Sequence, residues 1–213
     1  NYQQVQTFNQ NAWQLGTLDV SVAQQATFQG AIAAIGGAYA RLKTSCSLNG
    51  RGASGKISAI YHGDKNQVLD FRTHQRHIAR DTYSELLFKG VLDDESNSIY
   101  TGLIQVAKEA SGTNAFQTNR TLKLCDQAWA ESVPNLEIEN NDVKCSHAST
   151  VSPVDENQRF YLESRGVPTF EAEKLIVHGF LQEVVSSLPV EAINIWIAEL
   201  FNHKLNARVA HSG

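Results

Sequence analysis

The tetrad Lys144-Cys145-Ser146-His147 holds a thiol and an imidazole two residues apart, after a β-like run from Leu136 to Val143. Side chains alternate faces along a strand, so residues i and i+2 share a side, about 7 Å apart at ~3.3 Å per residue. A soft thiolate beside a borderline imidazole suits iron, zinc or copper, and also thiol chemistry. The plainer alternative is a small buried Cys145 and a hydrogen-bonded His147 ring. The other cysteines, Cys46 and Cys125, form no C-x-x-C pair with each other or with Cys145. One motif of this chain therefore cannot build a four-thiolate site. If Cys145 and His147 bind metal, they supply half a coordination sphere, and the rest must come from elsewhere, most simply from a second chain.

Other candidates are weaker. Gly50-Arg51-Gly52-Ala53-Ser54-Gly55-Lys56-Ile57 imitates a phosphate-binding loop, but Ile57 stands where a magnesium-holding Ser or Thr is needed, and a strand-like run follows where a helix is required. No nucleotide is expected to bind this chain. His74 and His77 have a spacing that could share a metal on a helix, but in a strand i and i+3 face opposite sides. Arg72, Arg76 and Arg80 make a local basic patch, read as a solvated face. Cys145 precedes only His147, His178, His203 and His211, so no Cys-His-Asn or Ser-His-Asp order can be argued. Asn119-Arg120-Thr121 reads as a chance sequon.

The elements that would position the tetrad change character along the chain. Up to about residue 150, short β-rich runs recur, such as Lys56–Tyr61, Val68–Phe71, Ser84–Phe88, Ser98–Ile104 and Thr121–Leu124. Gly, Asn, Asp and Ser punctuate them, and no long amphipathic helix intervenes. A β-solenoid explains many short strands with small turn residues. A sandwich competes, because no strict hexapeptide or nonapeptide period is visible. From about residue 155 the period becomes helical. Asp155 is expected to cap a helix through Ser164, ended by Gly166 and Pro168. Thr169 is expected to cap a second, with the stripe Leu175, Ile176, Phe180, Leu181 and Val184. Pro189 is expected to start a third, with the stripe Ile193, Trp196, Ile197, Leu200 and Phe201. This tail is too small to bury both stripes alone, so part of that surface should cover the β-domain or a partner. The boundary is placed between residues 152 and 153.

The 213 residues are 42% hydrophobic and 19% charged, with net charge −4. That supports one large domain, or one domain plus a small appendage, and lacks the basic stripe of a nucleic-acid binder. No run approaches the ~18–20 apolar residues of a membrane span, and no signal-peptide pattern opens the chain. Three unpatterned cysteines fit a reducing, cytoplasmic setting. A start at Asn1 without any methionine predicts a piece of a longer protein.

Four segments together resemble the SufB/SufD family of iron–sulfur cluster assembly proteins: Ser84–Leu92, Pro134–Ile138, Asp142–His147 and Gln158–Gly166. Within it the chain is similar to the C-terminal portion of the SufD branch, which reads K-C-S-H-G-A-T at the tetrad; here Ala148-Ser149-Thr150 replaces the last three. SufB members usually show Glu-His-Glu there, and a cysteine after an upstream Asp-Gln pair. Here Asp126-Gln127 is followed by Ala128, which argues against the SufB role of main sulfur acceptor. The resemblance implies a right-handed parallel β-helix over residues 1–152 and a helical subdomain over 153–213. It implies a non-catalytic scaffold that pairs with a SufB-like subunit through the β-helices and docks a SufC-like ATPase through its helical tail, at Leu175, Phe180 and Val184. It also implies a transient iron–sulfur cluster shared with the partner, with His147 a ligand from this side and Cys145 beside it. A link to reduced flavin has been suggested for the family, but no flavin motif is present. An isolated chain with an uncovered strand face is expected to form a homodimer. The competing readings are a β-helical acyltransferase or polysaccharide-acting enzyme, and a plain interaction module.

Overall fold

The computed structural model describes residues 1–186 and 191–209, and the Pro189 start of the third helix and His211 lie outside them. Among the described residues, eleven strands precede three helices. The strands are β1 (Tyr2–Gln6), β2 (Trp13–Val22), β3 (Thr27–Ala34), β4 (Tyr39–Leu48), β5 (Ser54–Gly63), β6 (Val68–His77), β7 (Tyr83–Leu92), β8 (Asn97–Val106), β9 (Thr113–Lys123), β10 (Trp129–Ile138) and β11 (Val143–Pro153). Odd strands form one sheet in the order β1-β3-β5-β7-β9-β11, and even strands a second, β10-β8-β6-β4-β2. All pairings are parallel. The chain thus winds as a parallel β-solenoid of about five turns, and the sandwich alternative is excluded.

The turns stack because the corners repeat. Gln25, Gly52, Asp81 and Gly112 each take a left-handed backbone between an even strand and the next odd one. Their amides donate to Arg51, Arg80, Ser111 and Asp142 carbonyls, each one turn further on. Gly37, Lys65 and Asp94 take the same conformation at the opposite corners. The repeat is real but elastic: Trp13 pairs with Tyr39, 26 residues on, whereas Asn97 pairs with Trp129, 32 residues on.

Alternation turns one face of each strand into the solenoid. Ile32, Leu48, Ile57, Tyr61, Leu69, Phe71, Leu86, Phe88 and Tyr100 pack there, with Phe88 5.6 Å from the Phe71 ring and 5.1 Å from that of Tyr100. Where β3, β5 and β7 bury both faces, the helices explain why. The helices are α1 (Glu156–Glu163), α2 (Thr169–Val185) and α3 (Glu191–Val209). Val177, Leu181 and Val184 of α2, with Ile197, Phe201 and Leu205 of α3, pack on Ala31, Ala33, Ile60 and Val91. The tail therefore covers the β-domain, as its excess apolar surface requires. Asp155 caps α1 by accepting from the amides of Asn157 and Gln158. Pro168 rather than Thr169 stands at the α2 N-cap, a shift of one residue. Two lysines tie tail to solenoid. Lys89 of β7 donates to the Phe180 carbonyl and pairs with Glu183, and Lys204 of α3 donates to the His62 carbonyl, Asp64 and Gln67, each at 2.9 Å.

His77 lies inside the solenoid, its two ring nitrogens 2.8 Å from the hydroxyls of Thr82 and Ser84. Burial pushes its pKa from 6.5 down to about 4. The folded chain keeps the ring neutral, so this contribution is complete above pH 6.5. It is lost as pH falls toward 4, because the unfolded chain takes up the proton first. Between pH 7 and pH 4, the unfolding free energy should drop by about 3 kcal/mol more in the wild type than in His77→Gln. Urea denaturation of both proteins across that range reads the difference.

Candidate functional site

The β-like run before the tetrad is not one strand. β10 ends at Ile138, a corner occupies residues 139–142, and Cys145 and His147 fall near the start of β11. The break has a cause: the Gly112 amide donates to the Asp142 carbonyl and the Ser111 hydroxyl to its carboxylate, so residues 139–142 continue the stack of corners. The expected shared face survives this correction. Cys145 registers with Ala115 and His147 with Gln117, both buried inward residues of β9.

The two side chains sit at different depths. Cys145 is half-buried and packs with Ile104, Val106, Ala110 and Ala115, flanked by Leu136 and Val143. Burial raises its thiol pKa, and the Ala115 backbone opposes this. His147 is exposed. β11 is an edge: only β9 pairs with it among the described residues, and β10 has only β8. The imidazole therefore lies at the open end of the solenoid with the thiol set back beside it. Among the described residues no group of three or more His, Cys, Asp and Glu side chains could hold a metal ion.

The other cysteines lie elsewhere. Cys46 is buried in the core, and burial pushes its thiol up to about 11. Cys125 follows the far end of β9, about 30 Å along the strand from the level of Cys145 at ~3.3 Å per residue, and its thiol donates to the Asp94 carbonyl at 3.0 Å. All three are free thiols. His74 and His77 face opposite sides of β6, the first half-buried and the second inside the solenoid. Arg72, with Arg41, pairs with the fully buried carboxylate of Asp70, so it is not a free basic group. Gly52 turns the corner into β5, where the P-loop pattern would need a helix.

Of the three tail residues expected to meet a partner, Leu175 is 52% exposed and Phe180 half-buried, both lining a groove of about 920 Å³ with Leu122, Pro153, Tyr161 and Leu162. Val184 differs. It is fully buried against the solenoid, because its turn of α2 faces the odd-strand sheet. A partner resting on α2 as it stands meets Leu175 and Phe180 but not Val184. Sequence reasoning also missed Gln117, the buried neighbour of His147; an inward polar residue gives no apolar signal.

Residues 1–180 match the family described as the SUF system FeS cluster assembly, SufBD core domain. The chain belongs to this SufBD core family. It is 35% identical over 175 residues to the iron–sulfur cluster assembly protein SufD of Escherichia coli, covering 82% of this chain and 41% of that protein. It is 34% identical to SufD of Bacillus subtilis, over 76% of this chain and 37% of that protein. A SufBD family protein of Mycobacterium tuberculosis is 30% identical over 92% of this chain and 51% of its own length. The chain thus spans about half the length of these relatives or less. The segments that carried the resemblance map onto this SufBD fold at β7, β10, the corner into β11, and α1 with the residues after it. No helix among the described residues is long and apolar enough to cross a membrane.

The raised Cys145 pKa keeps the thiol protonated near neutrality, and the thiolate is the reactive form. At pH 7.5, iodoacetamide should label Cys145 more slowly than it labels free cysteine, and the difference should vanish in denaturant. Mass spectrometry of timed aliquots measures both rates.

Proposed function

We propose that this chain acts as a SufD-like, non-catalytic scaffold in iron–sulfur cluster assembly, with the nascent cluster as cargo shared between it and a SufB-like partner. The observation that carries this is His147, exposed on the inward face of the edge strand β11 with the Cys145 thiol beside it. An imidazole there can bind iron, while the thiol can stabilise sulfide or a second iron position. Two side chains are too few to hold a cluster, so a subunit docked on the open turn would complete it. The unpaired edges of β10 and β11 suit that docking, and in isolation they suit a second copy of this chain.

The tail supports a second contact. The groove beside α1 and α2 exposes Tyr161 and Leu175, an apolar surface that a SufC-like ATPase would cover. Nucleotide chemistry would then reside in that ATPase. A shift of α2 would reach the solenoid through Lys89, which joins β7 to Phe180 and Glu183.

The test is co-purification of the full-length protein with its SufB-like and SufC-like partners, comparing wild type with His147→Ala after anaerobic iron and sulfide reconstitution. Both complexes should assemble, and only the wild type should gain its full iron and sulfide content. Equal cluster content in both would leave this subunit a structural module and end the proposed role of His147.

A further inference from the structure

Successive turns place side chains in columns inside the solenoid. One column runs Ile57, Leu86, Gln117, His147 across β5, β7, β9 and β11. Its first two members are aliphatic and buried. Gln117 breaks this pattern one strand before His147. It is 2% exposed, and neither its amide nitrogen nor its amide oxygen has a hydrogen-bond partner among the described residues. An unpartnered buried amide is costly, and a leucine continuing the column would avoid the cost.

The facing sheet makes room for this amide. A Cβ on Gly102 of β8 would stand 2.3 Å from Gln117 Nε2 and 2.5 Å from Oε1. The same column of the even sheet carries Thr44, Thr73 and Pro134, so glycine occurs only where the Gln117 amide reaches across. Registered residues on paired strands lie about 4.8 Å apart, so His147 and Gln117 leave the backbone side by side on the same face.

We infer that Gln117 is a positioning residue for His147: its amide oxygen accepts the N–H of the ring nitrogen that does not bind iron. An imidazole ligand presents one nitrogen to metal and needs an acceptor for the other, which fixes its tautomer and orientation and strengthens its donation. Gln117 holds that acceptor inside the solenoid, ready for the ring to turn inward when a cluster is bound. Gly102 supports the arrangement by leaving space for the amide. This inference rests on the cluster-binding role proposed for His147.

The test uses the full-length protein assembled with its partners and reconstituted with iron and sulfide, in four forms: wild type, His147→Ala, Gln117→Leu and Gln117→Glu. The readouts are the unfolding temperature, iron release to a chelator and the reduction potential of the cluster. Gln117→Leu should unfold at or above the wild-type temperature yet release iron at least tenfold faster, at a more positive potential. Gln117→Glu, which keeps an acceptor, should restore slow release. If Gln117→Leu fails to fold, Gln117→Met, close to glutamine in length and without the acceptor, should give the same release phenotype. Wild-type release and potential in Gln117→Leu or Gln117→Met, with His147→Ala still defective, would overturn the inference alone. Wild-type behaviour in His147→Ala would overturn the cluster-binding role and this inference with it.

Discussion

Parallel strands bond to neighbours on both sides, and the solenoid depends on continuing that ladder from turn to turn. At the corners from even to odd strands, Gln25, Gly52, Asp81 and Gly112 each hand an amide to a carbonyl one turn further on. The ladder stops at β10 and β11, whose outer edges have no strand beside them among the described residues. β1 and β2 are edges at the opposite end, so the stack has an unfinished turn at each end, and the last one is distinguished by its side chains. The Cys145-His147 pair stands on that unfinished turn.

The interior changes with the same polarity. On the odd sheet the core residues of the middle turns include Ile57, Leu86 and Phe88, with the Phe88 ring against those of Phe71 and Tyr100. Toward the open end, Gln117, Asn119 and Thr121 replace Leu86, Phe88 and Gly90 at the registered positions of the preceding strand. Asn119 donates across the interior to Ser132, and Thr121 shares a hydrogen bond with Tyr61. A polar interior behind an exposed imidazole keeps hydrogen-bonding capacity at the open end, and the packed rings of Phe71, Phe88 and Tyr100 fill the middle of the core. On the other side of the odd sheet the helices finish the burial, with Lys89 and Lys204 as polar ties.

Much of this was legible in the sequence. The succession of strands without an intervening helix, the small turn residues and the switch near residue 155 all survive in the structure, as does the Asp155 cap. The repeat did not show, because corners of different length stretch its period. Strand lengths were underread for a related reason. β6 runs from Val68 to His77, but its inward Thr73, Gln75 and His77 are polar and hide the alternation that Leu69 and Phe71 begin. β2 was missed altogether, because Trp13 and Leu15 point outward and invert the usual pattern. The tetrad stood out because Cys and His are chemically conspicuous. Gln117 could not, since only the register between β9 and β11 places it beside His147. Val184 shared an apolar stripe with Leu175, but only packing separates the side of α2 that faces the sheet from the side left open.

The central claim is that the last turn is completed by another subunit. Amide hydrogen exchange of residues 129–153 tests it most directly, in the full-length protein held monomeric by dilution and in complex with its SufB-like partner. The account predicts strong new protection in β10 and β11 on complex formation, concentrated around Cys145 and His147. Unchanged exchange there, with protection appearing elsewhere on the chain, would contradict it.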